Sequence, residues 1–136
     1  MSIIKELEET QYVKLKINHL RHKLAEKMEL KTSIKSAMST EIAVGSHVAK
    51  FDRGIDSILA SIEEIEQEIN RNIVIEEQLM NHIEDKIQDL PPKERMLIKL
   101  HYCHGETLEY ISEVIGCTPR HIVRKHKEVL NKLSVM

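Results

Sequence analysis

Aromatic residues are nearly missing from this chain: one Phe, three Tyr and no Trp among 136 residues. Glycine and proline are almost as scarce, at four and three. Sandwiches and barrels draw on aromatic and β-branched strands joined by frequent Gly/Pro turns, so this poverty argues against them. No apolar run approaches the roughly 18 residues of a membrane span, which leaves no expectation of membrane contact. Only Cys103 and Cys117 are present, and the opening Met1-Ser2-Ile3-Ile4-Lys5-Glu6 lacks the pattern of a signal peptide. Reduced thiols in a cytoplasmic protein are therefore expected. What the chain does have is charge, 31% of residues, alongside abundant Ile, Leu, Glu and Lys. Those are the ingredients of long helices around one modest core, so the expected class is all-α.

The formal charge of −2 hides an uneven distribution. Before Leu90, twelve Lys/Arg against seventeen Asp/Glu leave −5, whereas from Leu90 onward eight against five leave +3. Asymmetry of this kind points to a basic binding module on an acidic stem, divided here as residues 1–89 and 90–136.

Within the stem, Ile3, Leu7, Val13, Ile17, Leu20, Leu24 and Met28 recur mostly at steps of three and four. The spacing predicts a helix from Ser2, a plausible N-cap, to about Lys31. Between Thr32 and Gly54 the pattern loosens into Ser, Thr and Gly, which reads as a joining segment, with room for a short helix around Glu41 to Phe51. Ile55, Ile58, Ile62, Ile65 and Ile69 then restore a heptad-like stripe, continued by Leu79 and Ile83, with Glu63, Glu64, Glu66 and Glu68 off the seam. This is a coiled-coil signature. Asn72 falls on the seam; it either sets register and partner number or, more plainly, marks a boundary or solvated position. Two single-stripe helices bury their apolar faces most economically as an antiparallel hairpin, and self-association through the stem into a homodimer is the rival.

Asp89-Leu90-Pro91-Pro92 is the sharpest punctuation in the chain, because neither proline donates a hydrogen bond and Leu90 is pushed out of helical backbone. A helix carrying Met96, Leu97 and Leu100 follows. Thr107 then caps a helix that buries Leu108, Ile111, Val114 and Ile115 and stops at Gly116, a residue suited to the left-handed cap of a sharp turn. Thr118 caps the next helix and Pro119 takes its first position. There Ile122, Val129, Leu130 and Leu133 point inward, while Arg120, His121, Arg124, Lys125 and Lys127 point largely outward. Five Lys/Arg against one acid from Thr118 to Leu133 leave this helix at +4. Helix, glycine turn and basic helix form a helix-turn-helix, which presents its second helix to a DNA major groove. An ordinary helical corner with a solvated basic face has the same spacing.

Leu90 to Leu133 resembles region four of bacterial sigma factors. The resemblance is carried by Thr107-Leu108-Glu109-Tyr110-Ile111, by Gly116-Cys117-Thr118-Pro119-Arg120-His121-Ile122 and by Leu130-Asn131-Lys132-Leu133. The whole layout is similar to small phage-encoded, sigma-like transcription regulators of the ArpU type. The resemblance implies binding to double-stranded DNA near a promoter and activation of phage or mobile-element genes with host RNA polymerase. By the same analogy Arg120, His121 and Arg124 face the groove, and Thr118 caps its helix and touches a backbone phosphate. Lys125, Lys127 and Lys132 are expected at phosphates. Lys125 and His126 depart from the family pattern, since an apolar core residue is usual near there. No stretch resembles sigma region two, so a regulator rather than a complete sigma factor is expected.

Other chemistry is weakly supported. His101, Cys103, His104, Cys117 and His121 lack a recognised zinc spacing, and His19 and His22 read as solvated imidazoles. No phosphate-cradling glycine loop or nucleophile motif is present, so neither enzyme activity nor a cofactor is expected. Two alternatives remain: a protein-interaction adaptor that binds RNA polymerase without touching DNA, and a recognition subunit for phage DNA packaging.

Overall fold

The computed structural model describes residues 2–40 and 45–135, with the side-chain surroundings of 2–34 and 54–135. Among the described residues the fold is all-α: α1 (Ile3–Thr40), α2 (Gly45–Lys86), α3 (Pro92–Ile98), a π-helical turn (Lys99–Cys103), α4 (Leu108–Ile115) and α5 (Pro119–Ser134). A long helical hairpin followed by small helices is the class that the stripe pattern and the aromatic poverty imply. No described helix is long and apolar enough to cross a membrane.

The joining segment is shorter than its composition suggests. Thr32–Thr40 continues α1 and Gly45–Gly54 belongs to α2, while residues 41–44, including the start of the expected short helix, lie outside the described residues. Losing the apolar stripe removes the signal for a buried face and leaves the backbone free to stay helical. Thr32 shows how a hydroxyl is accommodated: its Oγ1 donates to the Met28 carbonyl at 3.0 Å within the same helix.

The chain divides into two compact units, Lys16–Ile73 and the combination of Met1–Leu15 with Val74–Met136. In the first, Ile17 and Leu20 of α1 and Ile58, Ile62 and Ile69 of α2 are buried, whereas Met28 is exposed. Lys16 Nζ lies 3.8 Å from Glu68 Oε1 with both side chains well solvated, so this pair contributes little. Asn72 is buried, which corrects the reading of a solvated boundary. Its Nδ2 donates to the Glu68 carbonyl at 2.8 Å, so a seam position with a polar residue is satisfied by its own helix.

The other unit has a single core to which every helix contributes: Ile3 and Leu7 of α1, Ile83 of α2, Ile87 and Leu90 of the junction, Leu97 and Ile98 of α3, Tyr102, Ile111 of α4, and Ile122, Val129 and Leu133 of α5. Ser2 caps α1 by accepting from the Lys5 N–H at 3.3 Å. The antiparallel course of α1 and α2 shows in their side-chain contacts, Glu6 Oε1 with His82 Nδ1 at 2.8 Å and Lys14 Nζ with Glu76 Oε2 at 3.9 Å. After Lys86 the chain turns through a Leu90 N–H bond to the Ile87 carbonyl at 3.1 Å, and the prolines then start α3. The π turn closes with the His104 N–H on the Lys99 carbonyl at 3.1 Å, one residue wider than an α turn, and both Tyr102 and Cys103 are buried. Lys14 reaches this turn from α1: its Nζ donates to the Cys103 carbonyl at 2.6 Å. Gly105, at φ +70°, is close packed against it, since a Cβ there would stand 3.3 Å from the Lys14 methylenes.

Candidate nucleic-acid interface

The local signals at the turn are met one by one. Thr107 Oγ1 accepts the Tyr110 N–H at 3.1 Å and Thr118 Oγ1 accepts the His121 N–H at 3.2 Å, so both helices begin on a side-chain cap. Gly116 adopts φ 85°, ψ 42°, and the N–H groups of Gly116 and Cys117 both reach the Ser112 carbonyl at 2.9 Å. Pro119 occupies the first turn of α5, where no backbone donor is lost. Ile111 and Ile122 are fully buried on either side of the turn, which holds α4 and α5 as a fixed pair. Val114 stays 49% exposed, contrary to its expected burial, because Ile111 and Ile115 turn toward the core and leave it on the outer side. Met96 is likewise exposed.

Thr118, Arg120, His121, Arg124 and Lys127 all lie on the exposed side of α5. Arg124 Nη2 stands 3.3 Å from His121 Nδ1, which links these two side chains one turn apart. Neither Arg120 nor Lys127 has an ion pair among the described residues, so both charges are available to a ligand.

Lys125 and Lys132 are placed differently. Both converge on Glu94, a carboxylate that is only 2% exposed. Lys132 Nζ donates to its two oxygens at 2.9 and 3.0 Å, and Lys125 Nζ lies 3.1 Å from Oε1. Burial alone raises the Glu94 carboxyl, but the hydrogen bonds and positive charge of Lys132 and Lys125 prevail and hold it below the ordinary carboxylate value. The two ammonium groups thereby fasten α5 to α3, with their outer portions still in water.

A second tether runs through His126, the other departure from the family pattern. Tyr102 Oη and His126 Nε2 are 2.8 Å apart. Burial, with a smaller contribution from Glu8, pushes the Tyr102 hydroxyl up to about 12, so the phenol donates. Burial and then the neighbouring His101 push His126 below its ordinary value, so a neutral imidazole accepts. His101 packs edge-on against His126 at 5.1 Å between ring centroids, and its Nδ1 lies 2.9 Å from the Glu106 carbonyl. A polar pair thus fills the place of an apolar core residue. Neither Glu94 nor this pair is legible in the sequence, because a buried carboxylate and a half-buried histidine look like surface residues until their partners are known.

Cys103 is buried and its thiol is pushed up by that burial, while Cys117 packs against the core at the turn. Among the described residues no three His, Cys, Asp or Glu side chains gather to hold a metal.

No curated protein and no solved structure matches the chain. Residues 87–134, little more than a third of it, match the family model described as Sigma-70, region 4, so this C-terminal module, with its helix-turn-helix geometry, is similar to that sigma-factor domain.

Proposed function

We propose that the protein is a sequence-specific, double-stranded DNA-binding transcription regulator of the phage-encoded, sigma-like ArpU type, acting with host RNA polymerase on phage or mobile-element promoters. The observation that carries this reading is the doubly capped α4–Gly116–α5 turn, which displays Arg120, His121 and Arg124 on one exposed face within the segment matched by sigma region four. Arg120 and Arg124 read base edges, with His121 held against Arg124, and Thr118 and Lys127 meet phosphates. Lys125 and Lys132, already engaged by Glu94, add a weaker field to the same DNA.

Selection of duplexes from random DNA, with the wild-type chain beside an Arg120→Ala/Arg124→Ala double variant, tests the reading. The wild type should enrich one sequence, and each arginine should contribute roughly 1–3 kcal/mol to its recognition. Affinity should fall with salt at a log–log slope of about −0.9 per phosphate contact. A wild-type chain that enriches nothing at any salt concentration rejects the proposal. Retention on polymerase without duplex binding would favour the adaptor reading, for which the exposed Tyr110 and Val114 of α4 offer a surface.

A further inference from the structure

Beyond Pro119 in its first turn, the exposed face of α5 is polar with one exception. Arg120, Arg124, Lys127 and Asn131 are in water, and Val123 stands among them, 43% exposed. Helical spacing puts Val123 three residues from Arg120 and four from Lys127, so the three share one patch. The buried residues of the same helix, Ile122, Val129 and Leu133, form a separate stripe that leaves Val123 outside it. A half-exposed, β-branched residue offers less helix propensity than Ala and hides only part of its surface, so the fold has little need of it. Single exposed apolar residues are common on proteins. The position distinguishes this one: it lies one turn into a capped helix, in the segment that enters a groove, with arginines beside it. Arg124 is drawn toward His121, at 3.3 Å, on the side of the helix away from Val123.

In a major groove, base edges present hydrogen-bonding groups and one methyl, the C5-methyl of thymine. An arginine finds its partner at guanine, whereas a valine flanked by two cations finds an apolar partner only at that methyl. We propose that Val123 is a specificity-determining residue that packs on the C5-methyl of a thymine next to the bases read by Arg120 and Arg124. This rests on the DNA-binding reading of α5 and specifies one position of its target.

The test uses the full chain and the duplex enriched by selection. Each thymine in that duplex is replaced in turn by deoxyuridine, which keeps the base pair and removes only the methyl. Wild-type binding should weaken about four-fold at one thymine and change little elsewhere, as expected for one buried methyl group. Val123→Ala, which leaves the core untouched, should bind the unmodified duplex weaker by a similar factor and be indifferent to deoxyuridine at that position. An enriched site in which no replacement affects the wild type, or in which the Val123→Ala protein is as sensitive as the wild type, overturns the assignment while leaving DNA recognition by α5 intact. Enrichment of no duplex overturns both.

Discussion

Glu94, Tyr102 and His126 fix the position of α5 through contacts inside the fold. Glu94 has its carboxyl held below the ordinary value of 4.5, so its stabilisation is fully present above that pH and is lost as pH falls through the lower folded-state value. Glu94→Gln should cost about 1–3 kcal/mol of unfolding free energy at pH 7, measured by urea denaturation, because two ammonium groups lose their charged acceptor. His126 produces a separate window. Its folded-state value lies below the ordinary 6.5, so the unfolded chain takes up a proton first and stability declines as pH drops from 6.5 through that lower value. His126→Gln, which keeps an acceptor for Tyr102 and does not titrate, should flatten that decline in denaturation midpoints recorded between pH 7.5 and 5. The charge of Lys125 and Lys132 is plain in the sequence, but their engagement is not. Glu94 lies 38 residues from Lys132, and only folding brings them to 2.9 Å.

Thr107, Gly116, Thr118 and Pro119 are legible because caps and turns are local: each residue supplies the conformation or acceptor needed within three or four positions. Thr118→Ala should cost roughly 1 kcal/mol by chemical denaturation, the usual loss on removing a threonine cap. Gly116→Ala should destabilise by about 1–2 kcal/mol, and solely through backbone conformation. A Cβ at Gly116 meets nothing within 4 Å, so no clash adds to the strain of φ 85°. The π turn at Lys99–Cys103 and the helical continuation through Thr32–Thr40 have no comparable local marker. The first brings both Tyr102 and Cys103 to buried positions, and the second keeps a helical backbone after its apolar stripe has faded. Asn72 belongs with them, since the heptad identifies a seam position but not the bond to Glu68 that makes its burial acceptable.

The core of the unit that carries the helix-turn-helix is assembled from both ends of the chain. Leu7 is fully buried in the same cluster as Ile122 and Leu133. Leu7→Ala should therefore destabilise the C-terminal module by about 2–5 kcal/mol, read as a lower urea midpoint monitored together with duplex binding. A fragment beginning at Leu90 lacks Ile3, Leu7, Ile83 and Ile87, and should show no cooperative thermal transition by circular dichroism. Sequence by itself determined the helical class, from the scarcity of aromatics, Gly and Pro and the 3.6-residue stripes. It determined the capped turn and the basic outer face of α5 too, because periodicity, caps and charge act over a few residues. Tertiary structure alone decided that the first turns of α1 complete the core beneath α5, that Lys14 reaches the π turn, and that Glu94 and Tyr102 take up charges and imidazole of α5. These contacts join residues dozens of positions apart, and burial, which drives them, depends on which surfaces meet rather than on which residues are neighbours in the chain.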